Sequence, residues 1–425
     1  MTDTKTPPGI TAPKGFRAAG VHCGVKKDPR KNDLTLIVCD VPAAAAGVFT
    51  RNRACAGPVT VSRQNLRTSG GRVRFVVANS GNANAATGDA GIRNAARMVV
   101  AVSEWFSAQA GHSAPGRVDR MAEGWGVDKG LVCSTGLIGI PLPMDRIEAG
   151  ITAACKALSA GPAADEAAAR GIMTTDNGPK TSGAAGRIGG KAVTVAAIAK
   201  GAAMIAPDMA TMLCFVTTDL AISPKLLQGC LKAAVDRSFN TITVDGHTST
   251  NDTVIALASG LAGNPEIKKA DDPELPKFQK LLDKVCLDLA LMMVRDGEGA
   301  DKLCEIAVEG AATDKEARAI ARALSDSPLW KCALTAGHPN WGRIVCAAGN
   351  VMSRGGPEDL TVKLGKVKVF AGGEPVKADP AKLDAAMAED PVRVHIRLTH
   401  GEGSALVRTC DINHKYIEEN TGKST

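Results

Sequence analysis

The stretch KGAAMIAPDMATML, residues 200–213, is the most unusual segment of this 425-residue chain. A loop of glycine, proline and apolar residues, with Asp208 as its single charge after Lys200, leads directly into a strand-like segment. Backbone N–H and C=O groups in an apolar loop still need hydrogen-bond partners, so a loop of this composition is unusual and its role needs an explanation. The residues alone leave two interpretations open: a functional loop, or a hydrophobic entry to a strand in which Thr211 is incidental.

The segments on either side of this loop predict a mixed chain of helices and strands. Strands are predicted at 33–41, 73–79, 212–217 and 252–259, and helices at 89–108, at 224–239 and within 276–295. Near the end, 360–370 and 392–398 are predicted as strands of an antiparallel sheet, with Gly372 and Gly373 as turn residues. Because strands and helices do not alternate regularly, antiparallel sheets sandwiched between outer helices are favoured over a doubly wound parallel sheet.

The composition narrows the class of function. The net charge of +7 comes without a long basic run, which gives little support to nucleic acid as a partner, although it would suit an anionic substrate. With 8 Phe, 4 Trp and 1 Tyr against 45 Gly, we expect closely packed layers of small side chains. No apolar run approaches a membrane span and no signal peptide is evident, so we expect a soluble cytoplasmic protein without a membrane partner.

Motifs for metals and nucleotides are weak or absent. The 12 cysteines contain no C-x-x-C pair and the seven histidines no H-E-x-x-H spacing, so reduced thiols and no metal site are expected. The terminal TGKST imitates the end of a phosphate-binding loop, but Ile417 stands where that loop needs its first glycine. No G-x-G-x-x-G follows a predicted strand, so no resident cofactor is predicted.

Residues 200–213 resemble the self-processing site of the ornithine acetyltransferase family, in which the chain is cut between the alanine and the threonine, here Ala210 and Thr211. The resemblance extends along the whole chain. Its other motifs, in family order, are TAPKGF (11–16), GVFTRN (47–52), NSGNAN (79–84), STG (134–136), TTD (174–176), TSTND (248–252) and PNWGR (339–343).

The chemistry of an N-terminal threonine is consistent with this resemblance. A threonine hydroxyl needs an adjacent base to become a good nucleophile. If the Thr211 hydroxyl attacks the carbonyl of Ala210, an acyl shift and hydrolysis release an α-amino group. The pKa of that amine is about 8, so a useful fraction is neutral at physiological pH and can act as the base.

The resemblance implies a role for each of several further residues. It places the oxyanion hole, which stabilises the charge of a tetrahedral intermediate, at Thr135 and Gly136. It also implies substrate contacts from Lys200, Thr211, Glu298, Asn420, Thr425 and one of Thr174 and Thr175, between which the sequence does not choose. N-acetylornithine carries a carboxylate and an ammonium group, so a lysine and a glutamate could serve its two ends.

The fold and activity implied by the family are those of an α/β (α+β) protein with a layered αββα sandwich, shared between residues 1–210 and 211–425. The expected reaction is ping-pong acetyl transfer from N-acetylornithine to glutamate in arginine biosynthesis, with acetyl-CoA as a further donor in some members. Paired fragments imply a heterotetramer. The alternatives are a self-cleaving N-terminal-nucleophile aminopeptidase, which typically has serine at the nucleophile position, and a pseudoenzyme that stays uncut. Relatives commonly have glycine at the position of Ala203. If φ at this position is positive, the Cβ of the alanine would strain the backbone and slow self-cleavage.

Overall fold

The structure is a computed structural model that describes residues 7–110, 125–206 and 212–422. Strands occupy the following ranges: β1 Phe16–Val21, β2 Leu34–Phe49, β3 Arg72–Asn82, β4 Gly130–Leu137, β5 Lys180–Ile188, β6 Lys191–Lys200, β7 Leu213–Thr218, β8 Ile242–Thr243, β9 Thr253–Ala258, β10 Leu303–Ala311, β11 Thr361–Leu364, β12 Val367–Ala371, β13 Glu374–Pro375, β14 Val392–Arg397 and β15 Gly403–Cys410.

Helices are named in the same way. They are α1 Gly57–Thr68, α2 Gly88–Ala110, α3 Met144–Ala157, α4 Pro162–Ile172, α5 Pro224–Arg237, α6 Leu275–Arg295, α7 Asp314–Ser325, α8 Pro328–Thr335, α9 Trp341–Gly349, α10 Pro380–Ala388 and α11 His414–Gly422, with short 3₁₀ turns at Val127–Lys129, Phe239–Thr241 and Pro357–Asp359.

The first sheet has the strand order β4-β3-β2-β9-β7-β6-β5, with β1 added on β2. The long strand β2 pairs with β3 through its first half, shifts register between Val38 and Ala43, and then pairs with β9. The sheet folds over on itself, because Lys200 at the end of β6 contacts Thr135 of β4 although four strands lie between them in the sheet order.

This folded sheet forms the two inner layers of a sandwich. Buried side chains from both halves of the sheet, such as Val76 and Phe215, share one apolar core. The outer face of the first half packs against α2 and α3, and the outer face of the second half packs against α5 and α6. The order helix, sheet, sheet, helix confirms the αββα sandwich predicted from the sequence.

A second sheet, β13-β12-β11-β14-β10-β15-β8, holds a core of its own. One face of its strands packs against α7, α8, α9 and α10. Thr313 caps the N-terminus of α7: its side chain accepts a hydrogen bond from the Glu316 amide and so satisfies one free donor of the first turn.

Three details of the predicted secondary structure are wrong. The single strand predicted at 360–370 is a hairpin, because the chain turns at Gly365 with φ of +54°. Both sheets are mixed rather than antiparallel, since β3 and β4, β7 and β9, and β10 and β14 pair in parallel through helical connections. Helix α5 ends at Arg237, before the predicted 239.

The thiol prediction is confirmed, because all 12 cysteines are free and most are buried. Within the described ranges, no helix combines the length and the apolar character needed to cross a bilayer.

Candidate active site

A pocket of about 290 Å³ brings together residues that the sequence predicted for one site. They come from separate parts of the chain: the end of β4, the segment before β5, the end of β6, the turn after α6, and α11. The predicted residues on its wall are Thr135, Gly136, Thr174, Thr175, Lys200, Glu298 and Asn420. Three other predicted residues, Ala210, Thr211 and Thr425, lie outside the described residues.

The end of β4 is held rigidly where it meets the pocket. Gly136 has φ of +130°, and a Cβ there would lie 2.3 Å from the carbonyl carbon of Gly81, so only glycine fits. Next to it, the Ser134 hydroxyl donates to Asn79 Oδ1 at 2.6 Å, and Asn251 Nδ2 donates to the Ser134 carbonyl at 2.9 Å. The backbone that carries Thr135 and Gly136 is therefore fixed before any substrate arrives.

Lys200 lies beside Thr135, almost completely buried at 3% exposure. Its ammonium group donates to Thr135 Oγ1 over a long 3.4 Å. Because an ammonium group has only donors, Thr135 must accept in this contact, which leaves the hydroxyl proton of Thr135 free for another acceptor. Burial lowers the pKa of Lys200, and the nearby carboxylates, chiefly Asp176, oppose that effect without cancelling it.

A hydrogen-bond network around Asp176 supports the backbone next to Lys200. Asp176 Oδ1 accepts from Lys180 Nζ at 2.5 Å and from the Gly201 amide at 2.7 Å, and Oδ2 accepts from the Thr174 amide at 3.0 Å. Burial raises the pKa of Asp176, but the charges of Lys200 and Lys180 outweigh it and lower this pKa to about 2. The carboxylate therefore joins the chain before β5 to the residue that follows Lys200.

Glu298 and Asn420 form the acidic wall of the pocket. Asn420 Nδ2 donates to Glu298 Oε2 at 2.8 Å, and the Glu298 amide donates to the Ala202 carbonyl at 2.9 Å, which ties this turn to the loop after β6. Tyr416 lies one turn before Asn420 and also lines the pocket. The pocket thus presents a cation at Lys200 and an anion at Glu298, an arrangement suited to a ligand with charges of both signs.

The described residues on either side of 207–211 are anchored by two aspartates, the half-buried Asp245 and the buried Asp252. Asp245 accepts from the Met204 amide at 2.5 Å and the Ile205 amide at 3.0 Å. Asp252 Oδ1 accepts from the Met212 amide at 3.1 Å, while its Oδ2 has no hydrogen-bond partner among the residues described. Burial raises the pKa of Asp252 well above its ordinary value. The described residues at both ends of the 200–213 loop are therefore fixed next to the pocket.

Several wall residues were not singled out as site residues by the sequence. Ser249 and Asn251 fall within the quoted motif TSTND, so a signal for them existed, whereas Asp245, His247 and Tyr416 carry no pattern of their own. Ala203 does not have the positive φ that would have strained an alanine; among the described residues of the 200–213 loop, φ is positive at Gly201, at +153°, and at Met204, at +54°. In the described part of the chain, no group of three or more His, Cys, Asp or Glu residues is arranged to hold a metal ion.

Comparisons with known proteins find one family to which this chain is similar along most of its length. The ArgJ family model matches residues 17–425. "Arginine biosynthesis bifunctional protein ArgJ" of Symbiobacterium thermophilum is 45% identical over 413 residues, covering 97% of each chain, and the protein of that name from Gloeobacter violaceus is 42% identical over 98% of each. A crystal structure of ArgJ from Bacillus halodurans aligns with 40% identity and a TM-score of 0.47 over 49% of this chain and 98% of that chain.

Proposed function

The chain belongs to the ArgJ family, and from that premise we propose that it transfers an acetyl group from N-acetylornithine to glutamate in arginine biosynthesis, through a covalent intermediate on Thr211. The observation that carries the proposal is the pocket that gathers Thr135, Gly136, Lys200 and Glu298 next to the anchored ends of the 200–213 loop.

The first step is self-cleavage. The Thr211 hydroxyl attacks the carbonyl carbon of Ala210, the peptide nitrogen leaves that carbon, and an ester forms between the two residues. Water then hydrolyses the ester, which leaves a carboxylate on Ala210 and a free α-amine on Thr211. The fragments 1–210 and 211–425 remain together because β7 of the second pairs along its whole length with residues 195–200 of β6 in the first, within one sheet.

Acetyl transfer follows by two half-reactions. The α-amine of Thr211 takes the hydroxyl proton as the oxygen attacks the acetyl carbonyl of N-acetylornithine, and the resulting oxyanion is stabilised by the Thr135 hydroxyl and the Gly136 amide. Collapse of the intermediate breaks the amide bond and releases ornithine after its nitrogen gains a proton. The amine of glutamate then attacks the acetyl ester and restores the Thr211 hydroxyl.

The charged walls of the pocket position the donor. A cationic side chain is attracted to Glu298, and a carboxylate is attracted to Lys200 and accepts hydrogen bonds from the threonines at 174 and 175. No resident cofactor takes part in these steps. We propose acetyl-CoA as a second acetyl donor to the same hydroxyl, and a heterotetramer of two paired fragments as the assembly.

The test of the nucleophile is the variant Thr211→Ala. We expect it to remain a single chain of 425 residues without transferase activity, whereas wild-type protein gives two fragments. Two fragments from the variant would contradict the assignment. Steady release of ornithine by the wild-type protein without added glutamate would instead favour a hydrolase.

A further inference from the structure

A second pocket of about 290 Å³ adjoins the active-site pocket. Gly136 and Thr174 line both pockets, so the two meet at the proposed oxyanion hole. The wall of the second pocket carries Lys26, Lys27 and Lys31, and we call it the basic pocket.

The positive charge of the basic pocket is only partly neutralised: the carboxylate of Asp33 lies near Lys26, whose Nζ donates to the Asn32 carbonyl at 2.6 Å. Lys27 and Lys31 are exposed, and neither takes part in an ion pair with any residue that the structure describes. Asp28, on the same wall, is already bound through both carboxylate oxygens by Arg30 at 2.9 Å. Burial lowers the pKa of Lys26 to about 8, so a bound anion would favour its charged form.

The active-site pocket alone does not provide an opposite charge for both substrate side chains of the proposed reaction. Its two amino acids have side chains of opposite charge: ornithine carries an ammonium group and glutamate a carboxylate. Glu298 attracts the first and repels the second, and among the described residues no lysine or arginine other than Lys200 lines the active-site pocket. If Lys200 holds the α-carboxylate, the side-chain carboxylate of glutamate needs a different cation.

Resting on the function proposed above, we propose that the basic pocket is the subsite for the side-chain carboxylate of the acceptor glutamate. The acceptor amine would then lie near Thr135 and Gly136, and its side chain would extend past Thr174 toward Lys27 and Lys31. The donor and acceptor side chains diverge beyond Cβ, each toward a charge of the opposite sign.

The experiment uses the double variant Lys27→Gln/Lys31→Gln. Both side chains are exposed, so folding should be unaffected. The control is Lys366→Gln/Lys368→Gln, which removes the same charge from two exposed positions on the β11–β12 hairpin of the second sheet. For each purified protein we would measure the rate of ornithine release in a single turnover without glutamate, the KM for glutamate, and the KM for acetyl-CoA as donor.

We expect the KM for glutamate to rise roughly tenfold in the Lys27/Lys31 variant, because charge-assisted contacts to the side-chain carboxylate are lost. The rate of ornithine release in a single turnover should be unchanged. The control should match wild type. An unchanged KM for glutamate would overturn the inference, and so would an equal loss in both half-reactions. A rise confined to the KM for acetyl-CoA would also overturn it, since the pocket would then bind the phosphates of that donor. Absence of transfer in the wild-type protein would overturn the proposed function itself.

Discussion

Two buried lysines show how the site differs from the rest of the molecule. Lys331, in α8, is 2% exposed, and its ammonium group donates to Thr409 Oγ1 at 2.7 Å and to the Cys410 carbonyl at 2.6 Å. Lys200 is 3% exposed, and its one hydrogen bond within the described residues is the 3.4 Å contact to Thr135. Lys331 is satisfied by interior acceptors, whereas Lys200 faces a pocket and finds no acceptor for most of its donors in the part of the chain that the structure describes.

This difference separates a structural lysine from a binding lysine. Burial of a charge is costly unless hydrogen bonds or opposite charges compensate it. For Lys331, which packs under the second sheet, buried hydrogen-bond acceptors provide this compensation. For Lys200, in the first sheet, the compensation is incomplete until a ligand enters the pocket. We therefore expect the two lysines to respond in opposite ways to the same substitution.

The largest effect is expected from Lys200→Met. Loss of the cation removes a contact to the substrate carboxylate and disturbs Thr135, so kcat/KM should fall about a hundredfold. The free energy of unfolding should change by less than about 1 kcal/mol, because an incompletely paired buried charge is removed. Steady-state kinetics and urea denaturation measure the two quantities, and full activity would contradict the role given to Lys200.

The same substitution at Lys331 should have the reverse outcome. Lys331→Met removes the lysine donor from two buried acceptors, which should lower the free energy of unfolding by about 2 kcal/mol. The folded variant should keep the wild-type kcat/KM at a temperature well below its unfolding transition. Loss of activity in a fully folded variant would show that the comparison between the two lysines is wrong.

A third effect, of similar size, concerns acid stability. The pKa of Asp176 is lowered from 3.8 to about 2 in the folded protein, so its ionisation stabilises the fold at pH values above 3.8, and this stabilisation is lost as the pH falls toward 2. Asp176→Asn should therefore be less stable than wild type at pH 6, by about 2 kcal/mol, and the difference should shrink below pH 4. Urea midpoints at pH 6, 4 and 3 test this, and a constant difference would contradict it.

The smallest effect is expected at the acidic wall. Glu298→Gln keeps an oxygen that can accept from Asn420 but loses the charge that attracts an ammonium group. The KM for N-acetylornithine should rise roughly tenfold, while the KM for glutamate should stay the same or fall. Initial rates with each substrate varied in turn would show this split, and a rise in both KM values would argue against separate paths for the two side chains.

The sequence predicted much of the fold because its long elements have clear periodicity. The helices 89–108 and 276–295 and the strands around 73–79 and 252–259 are present close to the expected bounds. The parallel pairings were missed because strand direction depends on which strands become neighbours, and β7 meets β9 only after the intervening helix crosses the sheet.

The candidate site was predictable only through motifs. Thr135, Lys200 and Glu298 are far apart in the chain, and no rule of spacing brings a residue of β4 against the end of β6. That contact arises from the folding of the first sheet at β2, which local patterns do not reveal. The role of Asp176 as a support was hidden for the same reason, since its partners Lys180 and Gly201 are set by tertiary packing.

The central claim is that Thr211 carries the acetyl group, and it is tested most directly by intact mass spectrometry of the denatured protein after brief exposure to N-acetylornithine without glutamate. We expect two fragments, the second beginning at Thr211 and heavier by one acetyl group, and loss of that extra mass when glutamate is added. A single uncut chain, or a second fragment that never gains an acetyl group, would contradict it.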